Sequence, residues 1–171
     1  RQIESTYSKA AKIQKQILVK LIKKGAKTQF GIEHSFYNIN DHKAFKSLVP
    51  VRDYEGIKSY IDKVKDGEES VLWPGKPRYF AKTSGTTSGA KLIPISNESM
   101  PNHIKSSRNA LLFYINKTGK TDFLNGKTIF IQGSPVLESI NGIKTGRLSG
   151  IVAHYVPSYL RSNNMPSWET N

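Results

Sequence analysis

The sequence contains no cysteine. Disulfide scaffolds, thiolate metal sites and cysteine nucleophiles are therefore excluded from this stretch. Acidic residues are scarce, with 13 Asp and Glu against 26 Lys and Arg, a formal net charge of +13. Such a balance favours solubility and loose affinity for anions, and by itself specifies neither a fold nor an activity. Long apolar runs are also missing. The longest, Ala110-Leu111-Leu112-Phe113-Tyr114-Ile115, falls far short of the roughly 20 residues that a bilayer span needs. His34, His42, His103 and His154 have no metal-ligand spacing. No serine lies in a Gly-X-Ser-X-Gly elbow, and neither zinc-finger spacing nor an aromatic-studded RRM strand occurs. What is present is 37% hydrophobic, enough for a packed core, so wholesale disorder is excluded as well.

The positive charge gathers at the start, where residues 1–27 hold eight basic residues and one acid, Glu4. Ile3, Tyr7, Ala10, Ile17 and Leu21 follow helical spacing interrupted only by Gln14, and Ala11, Leu18 and Ile22 widen the stripe. Lys9, Lys12, Lys15, Lys20, Lys23 and Lys24 fall mostly off that stripe, and Gly25 supplies a stop. The expectation is a basic amphipathic helix over 1–25, with its apolar stripe packed on the protein and its lysines in solvent. The alternative from a different class is a non-catalytic module that binds nucleic acid or another anion through residues 1–27.

Residues 26–51 read as an aromatic-containing loop region. Asp53 reads as the N-cap of a helix that places Tyr54, Ile57, Ile61 and Val64 on one face, with Gly67 after its end. Residues 79–82 and 92–95 read as strands. Ser96 or Asn97 then caps a helix carrying Met100, Ile104, Leu111 and Ile115, with Pro101 tolerated near its first turn. Residues 127–131 and 151–156 read as further strands, separated by a Gly/Ser-rich region over 133–150. Strands alternating with helices predict an α/β architecture. The chain opens on Arg1 and stops at Asn171 with no evident closing element, which reads as a piece of a longer protein.

Between the first two strands lies Thr83-Ser84-Gly85-Thr86-Thr87-Ser88-Gly89-Ala90-Lys91. Hydroxyl side chains surround Gly85. Positive φ at Gly85 and Gly89 would let consecutive N–H groups point into a common concavity. Lys91 adds a full charge, and no Asp or Glu occurs from Tyr79 through Ser96. A cation about 4 Å from a phosphate oxygen gains about 4 kcal/mol at a surface-like dielectric, before desolvation. The segment is not a Walker A loop, because three residues separate its glycines and Ala90 precedes Lys91. The residues alone leave two readings open, a polyphosphate-binding nest or a flexible Ser/Thr/Gly hairpin. Gly142-Ile143-Lys144-Thr145-Gly146-Arg147-Leu148-Ser149-Gly150 reads as a mobile surface loop, with contact to a substrate carboxylate as the sharper alternative. His154 reads as a core or pocket-wall histidine.

The segment from Thr83 to Lys91 resembles the phosphate-binding signature of the adenylate-forming enzymes, which join a carboxylate to AMP. Lys27-Thr28-Gln29-Phe30-Gly31, Val49-Pro50-Val51-Arg52-Asp53-Tyr54-Glu55 and Leu92-Ile93-Pro94-Ile95 narrow the match. With them the chain is similar to the Gretchen Hagen auxin-responsive family, from about 28 to 96 and more loosely beyond. Its characterised plant members are acyl acid amido synthetases. The resemblance implies the amino-terminal part of an adenylate-forming large domain. It implies that Ser84, Gly85, Thr86, Thr87, Ser88 and Gly89 embrace ATP phosphates, with Thr83 at the loop entrance and Lys91 as counter-charge. Ala90 replaces the proline usual in the superfamily, a departure that fits the narrower family. ATP and Mg²⁺ are the implied cofactors, and a carboxylic acid with an amino acid or other amine acceptor the implied partners. Neither membrane nor nucleic acid is expected as a partner. Transfer to coenzyme A or a protein thiol is the alternative within the same half-reaction. The family's adenine- and ribose-binding motifs and mobile carboxy-terminal lid have no counterpart before Asn171. The chain is therefore expected to hold only part of an active site and not to turn over by itself; no catalytic residue or metal ligand is assigned. The expected compartment is the cytoplasm.

Overall fold

Short polar side chains at Thr28, Asp41 and Asp53 set helix starts in the first of the two units into which the chain divides, 1–76 and 77–171. The computed structural model describes residues 4–85, 89–161, 163–167 and 170. A 3-10 turn, Glu4–Lys9, leads into helix α1, Ala10–Gly25. Thr28 caps α2, Gln29–Glu33: its Oγ1 accepts from the Gly31 N–H at 3.0 Å and donates to the Gly25 carbonyl at 2.7 Å. The first amides of α2, at Gln29 and Phe30, donate to the carbonyls of Ser70 and Val71. Asp41 caps α3, His42–Leu48, through the Ala44 N–H, and Asp53 caps α4, Tyr54–Lys65, through the Gly56 N–H, each at 2.8 Å. Gly67, at φ +101°, follows the end of α4, the left-handed position that favours glycine.

Residues 26–51, expected as a loop, thus hold two α-helices, with a 3-10 turn, Phe36–Asn38, between them. Each is too short to show a sustained 3.6-residue pattern, and the caps at Thr28 and Asp41 define them instead. The α4 expectation holds, cap included. In α1 the expected seam is turned: Ile22 and Gly25 are buried, while Ile17 and Leu21 stay 51% and 48% exposed. Close approach at Gly25 sets this rotation. A Cβ there would lie 3.2 Å from the Phe36 ring, and one at Gly31 would lie 2.1 Å from the Gly25 carbonyl oxygen. Ile22, Ala26, Ile39, Ile61, Val64 and Val71 form the buried apolar set, with Thr28 1% exposed among the buried residues. Phe30 stacks on His34 and meets Phe36 and Tyr60 edge-on. Tyr60 donates to Glu33, which also accepts from Gln29.

The second unit is built on strands β1, Tyr79–Lys82, and β2, Leu92–Ile95, followed by α5, Met100–Thr118. Then come β3, Thr128–Ile129; β4, Glu138–Ile140; β5, Ile143–Arg147; α6, Leu148–Ala153; α7, Ser158–Arg161; and β6, Asn164–Met165. Four strands form one sheet in the order β2-β1-β5-β4, and β3 pairs with β6 separately. The inner pair, β1 and β5, is parallel, with Phe80 opposite Thr145; both outer pairings are antiparallel. Tyr79, Ala81 and Ile95 pack with Met100 and Ile151, flanked by Ile104, Leu137, Val152 and Tyr155.

The expected α/β class, β1 and β2 all hold. Ser96 closes the turn before α5, its Oγ accepting from the Ser99 N–H at 3.1 Å, and the helix itself starts at Met100. Two expectations are overturned. The supposed mobile loop over 142–150 contains the inner strand β5, with Ile143 1% and Thr145 0% exposed. The strand expected over 151–156 is largely α6, because a short apolar β-branched run has no period of its own. Helical geometry there buries Ile151 and Ala153 and brings Gly150 to the Ser134 carbonyl, where a Cβ would lie 2.1 Å away.

Two outcomes follow for the first unit. Thr28→Val removes a buried cap and leaves polar groups without partners, and should lower unfolding free energy by about 1–3 kcal/mol in a urea titration; an unchanged midpoint would exclude this role. The Tyr60 hydrogen bond holds Glu33 below the ordinary carboxylate range, and the same bond, helped by burial, raises Tyr60 above the ordinary phenol range. Glu33 therefore stabilises the fold above about pH 4.3 and loses that contribution as pH falls through its lowered value. Tyr60 contributes below about pH 10 and loses it as pH rises through its raised value. Tyr60→Phe should flatten both flanks of the stability–pH curve.

Candidate functional site

The loop that follows β1 is closed at its neck by its own backbone. Lys82 and Leu92 are the last register pair of β1 and β2. Beyond them the Thr83 N–H donates to the Lys91 carbonyl at 3.0 Å, and the Lys91 N–H donates to Thr83 Oγ1 at 3.1 Å. Thr83 thus has a definite place at the loop entrance, tying the two strands of the neck. The two glycines act differently. Gly89 has φ +79°, the left-handed region expected of both. Gly85 is needed for closeness instead: a Cβ there would lie 1.9 Å from the Gly89 carbonyl oxygen and 2.8 Å from the Ala90 nitrogen. Thr83, Ser84, Gly85 and Gly89 are exposed and Lys91 is half-buried. Thr86, Thr87 and Ser88 lie outside the described residues.

Because β1 and β5 are parallel, their carboxyl ends leave the sheet at the same edge, the edge where open α/β sheets bind ligands. Lys82 is the register partner of Arg147. Lys82 forms an ion pair with Glu138 at 2.5 Å, and Glu138 is the β4 partner of Thr145. Gly133 and Ser134 lie against the β5–α6 junction, with the Gly133 N–H donating to Ser149 Oγ at 2.8 Å. His154 Nε2 lies 2.8 Å from the Pro135 carbonyl oxygen. It follows α6 as an exposed cap, which corrects its expected place in a core strand. Among the described residues, no three His, Asp or Glu side chains are grouped to hold a metal ion.

The other end of β1 holds a second polar group. The hydroxyls of Tyr79 and Tyr155 are 3.0 Å apart, and the Arg78 guanidinium lies 5.7 Å from both ring centroids. Burial raises both phenols, and at Tyr155 the bond to Tyr79 adds to that rise. At Tyr79 burial is outweighed by the bond with Tyr155 and by Arg78, which hold it below the ordinary phenol range. This group fastens the segment after α6 to β1, away from the loop neck. Arg147 is the residue at the loop edge that sequence reading left inside a mobile loop. The signal was the two-residue alternation of β5, Ile143 and Thr145 buried around an exposed Lys144.

Residues 1–171 match the family model described as the GH3 family N-terminal domain. An indole-3-acetic acid-amido synthetase of Arabidopsis thaliana, GH3.15, is 33% identical over 165 residues, covering 94% of this chain and 26% of that protein. Jasmonoyl–L-amino acid synthetase JAR4 of Nicotiana attenuata is 27% identical over 140 residues, covering 80% of this chain and 24% of its own length. A solved GH3.15 acyl acid amido synthetase superposes with a TM-score of 0.73 at 27% identity, covering 90% of this chain and 28% of that one. The chain thus spans about a quarter of the length of these curated relatives.

The neck geometry separates the two glycines experimentally. Gly85→Ala forces a methyl into backbone and should open the neck, whereas Gly89→Ala strains one left-handed residue at a cost of about 1–2 kcal/mol. Backbone amide exchange at Thr83 and Lys91 should rise more in Gly85→Ala; equal protection in both variants would contradict the close-approach role.

Proposed function

The chain belongs to the GH3 family, matching its N-terminal domain over residues 1–171, and on that premise we propose that it supplies the phosphate-binding loop of an ATP-dependent ligase that adenylates a carboxylic acid and passes the acyl group to an amine. The observation that carries this reading is the closed neck at Thr83 and Lys91, with Gly85 packed on Gly89, both exposed, in a segment without acidic residues. The relatives named as amido synthetases support the reaction class.

In this reaction a carboxylate oxygen attacks the α-phosphorus of ATP, and the bond to the β-phosphate oxygen breaks, releasing pyrophosphate. The amine then attacks the acyl carbon and AMP leaves. The chain's part is to bind and orient the phosphates. Exposed amides and hydroxyls around Ser84 and Gly89 donate to phosphate oxygens, and Lys91 offsets charge on the leaving pyrophosphate. Thr86, Thr87 and Ser88 add donors on the family resemblance alone. The loop's donors fit an anion and not a cation. Mg²⁺, which takes oxygen ligands and often keeps substrate phosphates among them, would be held by the phosphates and by residues of the full-length protein. The adenine and ribose contacts and the carboxy-terminal lid also belong to that remainder, so this chain alone does not turn over.

The test is ATP–pyrophosphate exchange by the full-length protein against a panel of carboxylic acids that includes indole-3-acetic and jasmonic acids. Exchange dependent on one acid and reduced about 10²–10³-fold in Lys91→Ala is the expected result. Amide formation with amino acids, but no thioester with coenzyme A, separates amido synthesis from acyl-thiol ligation. Undiminished exchange in Lys91→Ala would falsify the loop assignment.

A further inference from the structure

We propose that Arg147 is a phosphate-binding residue of the same site, its guanidinium taking oxygens of the ATP polyphosphate beside the loop that begins at Thr83. The inference rests on the adenylation reading and extends it to a residue at the end of a different strand.

Position is the first argument. Arg147 is the register partner of Lys82, the residue before Thr83, and the parallel pairing sends both chain segments out at one edge. Two adjacent cations repel unless something anionic lies between or beside them. Glu138 neutralises one of them, pairing with Lys82. Arg147 is exposed, and among the described residues no hydrogen bond or ion pair reaches its guanidinium. Among the described residues the loop edge therefore retains a positive charge that no acidic side chain answers.

The second argument is how the side chain is held. A Cβ on Gly133 would fall 2.7 Å from Arg147 Cβ, 2.8 Å from Cδ and 3.1 Å from Cγ. The aliphatic stem thus lies directly on the Gly133 backbone, and the Gly133 amide is fixed in turn by Ser149 Oγ. An arginine that serves only solubility has no need of a seated stem. Seating the stem while leaving the planar head unpaired lowers the entropy lost when that head binds, and a guanidinium matches phosphate oxygens in a two-point contact that an ammonium cannot make. Lys144, on the same strand, provides the contrast. Its register partner is Tyr79, at the far end of β1 and about 10 Å from Arg147 along the strand.

The experiment measures binding of Mg-ATP and of inorganic pyrophosphate to the full-length protein by calorimetry, with ATP–pyrophosphate exchange on the same samples. Arg147→Met keeps the stem and removes the charge, Arg147→Lys keeps the charge and loses the fork, and Lys144→Met is the charge-matched control. Affinity for both probes should fall about 10–100-fold in Arg147→Met, as loss of a charge-assisted hydrogen bond entails. It should fall less in Arg147→Lys and stay within about twofold in Lys144→Met. Arg147→Met binding like the control overturns the proposal, as does a loss confined to the KM of the carboxylic acid. Absent exchange in the wild type with pyrophosphate binding still dependent on Arg147 sinks the adenylation reading and leaves the clamp standing. A wild type that binds neither probe removes both.

Discussion

The parallel pairing of β1 with β5 is the constraint on which the second unit depends. These strands are the two inner members of the four-stranded sheet, and Phe80 and Thr145, opposite one another, are both fully buried. Parallel neighbours need a long connection, and here it contains β2, α5 and the segment that returns through β4. Burying both strands aligns the exits of two segments distant in sequence. The loop after Lys82 and the junction after Arg147 share an edge only because the strands run the same way. An antiparallel pairing would place Arg147 beside Tyr79, at the far end of β1, and put Lys144 in its place beside Lys82.

The loop itself separates two properties that composition merges. Its hydroxyl and glycine content fits either a nest or a slack hairpin. Hydrogen bonds of 3.0 and 3.1 Å across Thr83 and Lys91, and backbone contact at Gly85, give the neck one arrangement. Donors organised before a ligand arrives lose less freedom on binding it, the property that charge stabilisation of a leaving phosphate group requires. Lys82 contributes differently: its pairing with Glu138 limits repulsion with Arg147, its register partner at the sheet edge.

The first unit solves another problem, the joining of short helices with little periodic pattern. Thr28 serves two chain directions at once, accepting from the start of α2 and donating to the end of α1. The missing side chains of Gly25 and Gly31 allow the approach, and Phe30 with Tyr60 and Glu33 couples α2 to α4. Many lysines of α1 remain on its solvent side, where charge opposes association and costs little.

The elements readable from sequence were those whose causes lie within a few residues. Asp53 and Gly67 bound α4, β1 and β2 flank the Gly-rich loop, and the signature from Thr83 to Lys91 with its neighbours pointed to the family. The caps at Thr28 and Asp41 were equally local, but the helices behind them are too short for an apolar period to announce. Other features depended on contacts distant in the chain. Nothing near residue 147 states that its strand lies beside β1, and nothing within α1 states which side Phe36 meets. Apolar residues at 151–153 suit strand or helix until the sheet, Gly150 and Ser134 decide. Local chemistry determined the caps, the turns and the Thr83–Lys91 signature. Tertiary structure alone decided which edge that loop shares and which cation stands beside it, because burial is settled by partners that no short window contains.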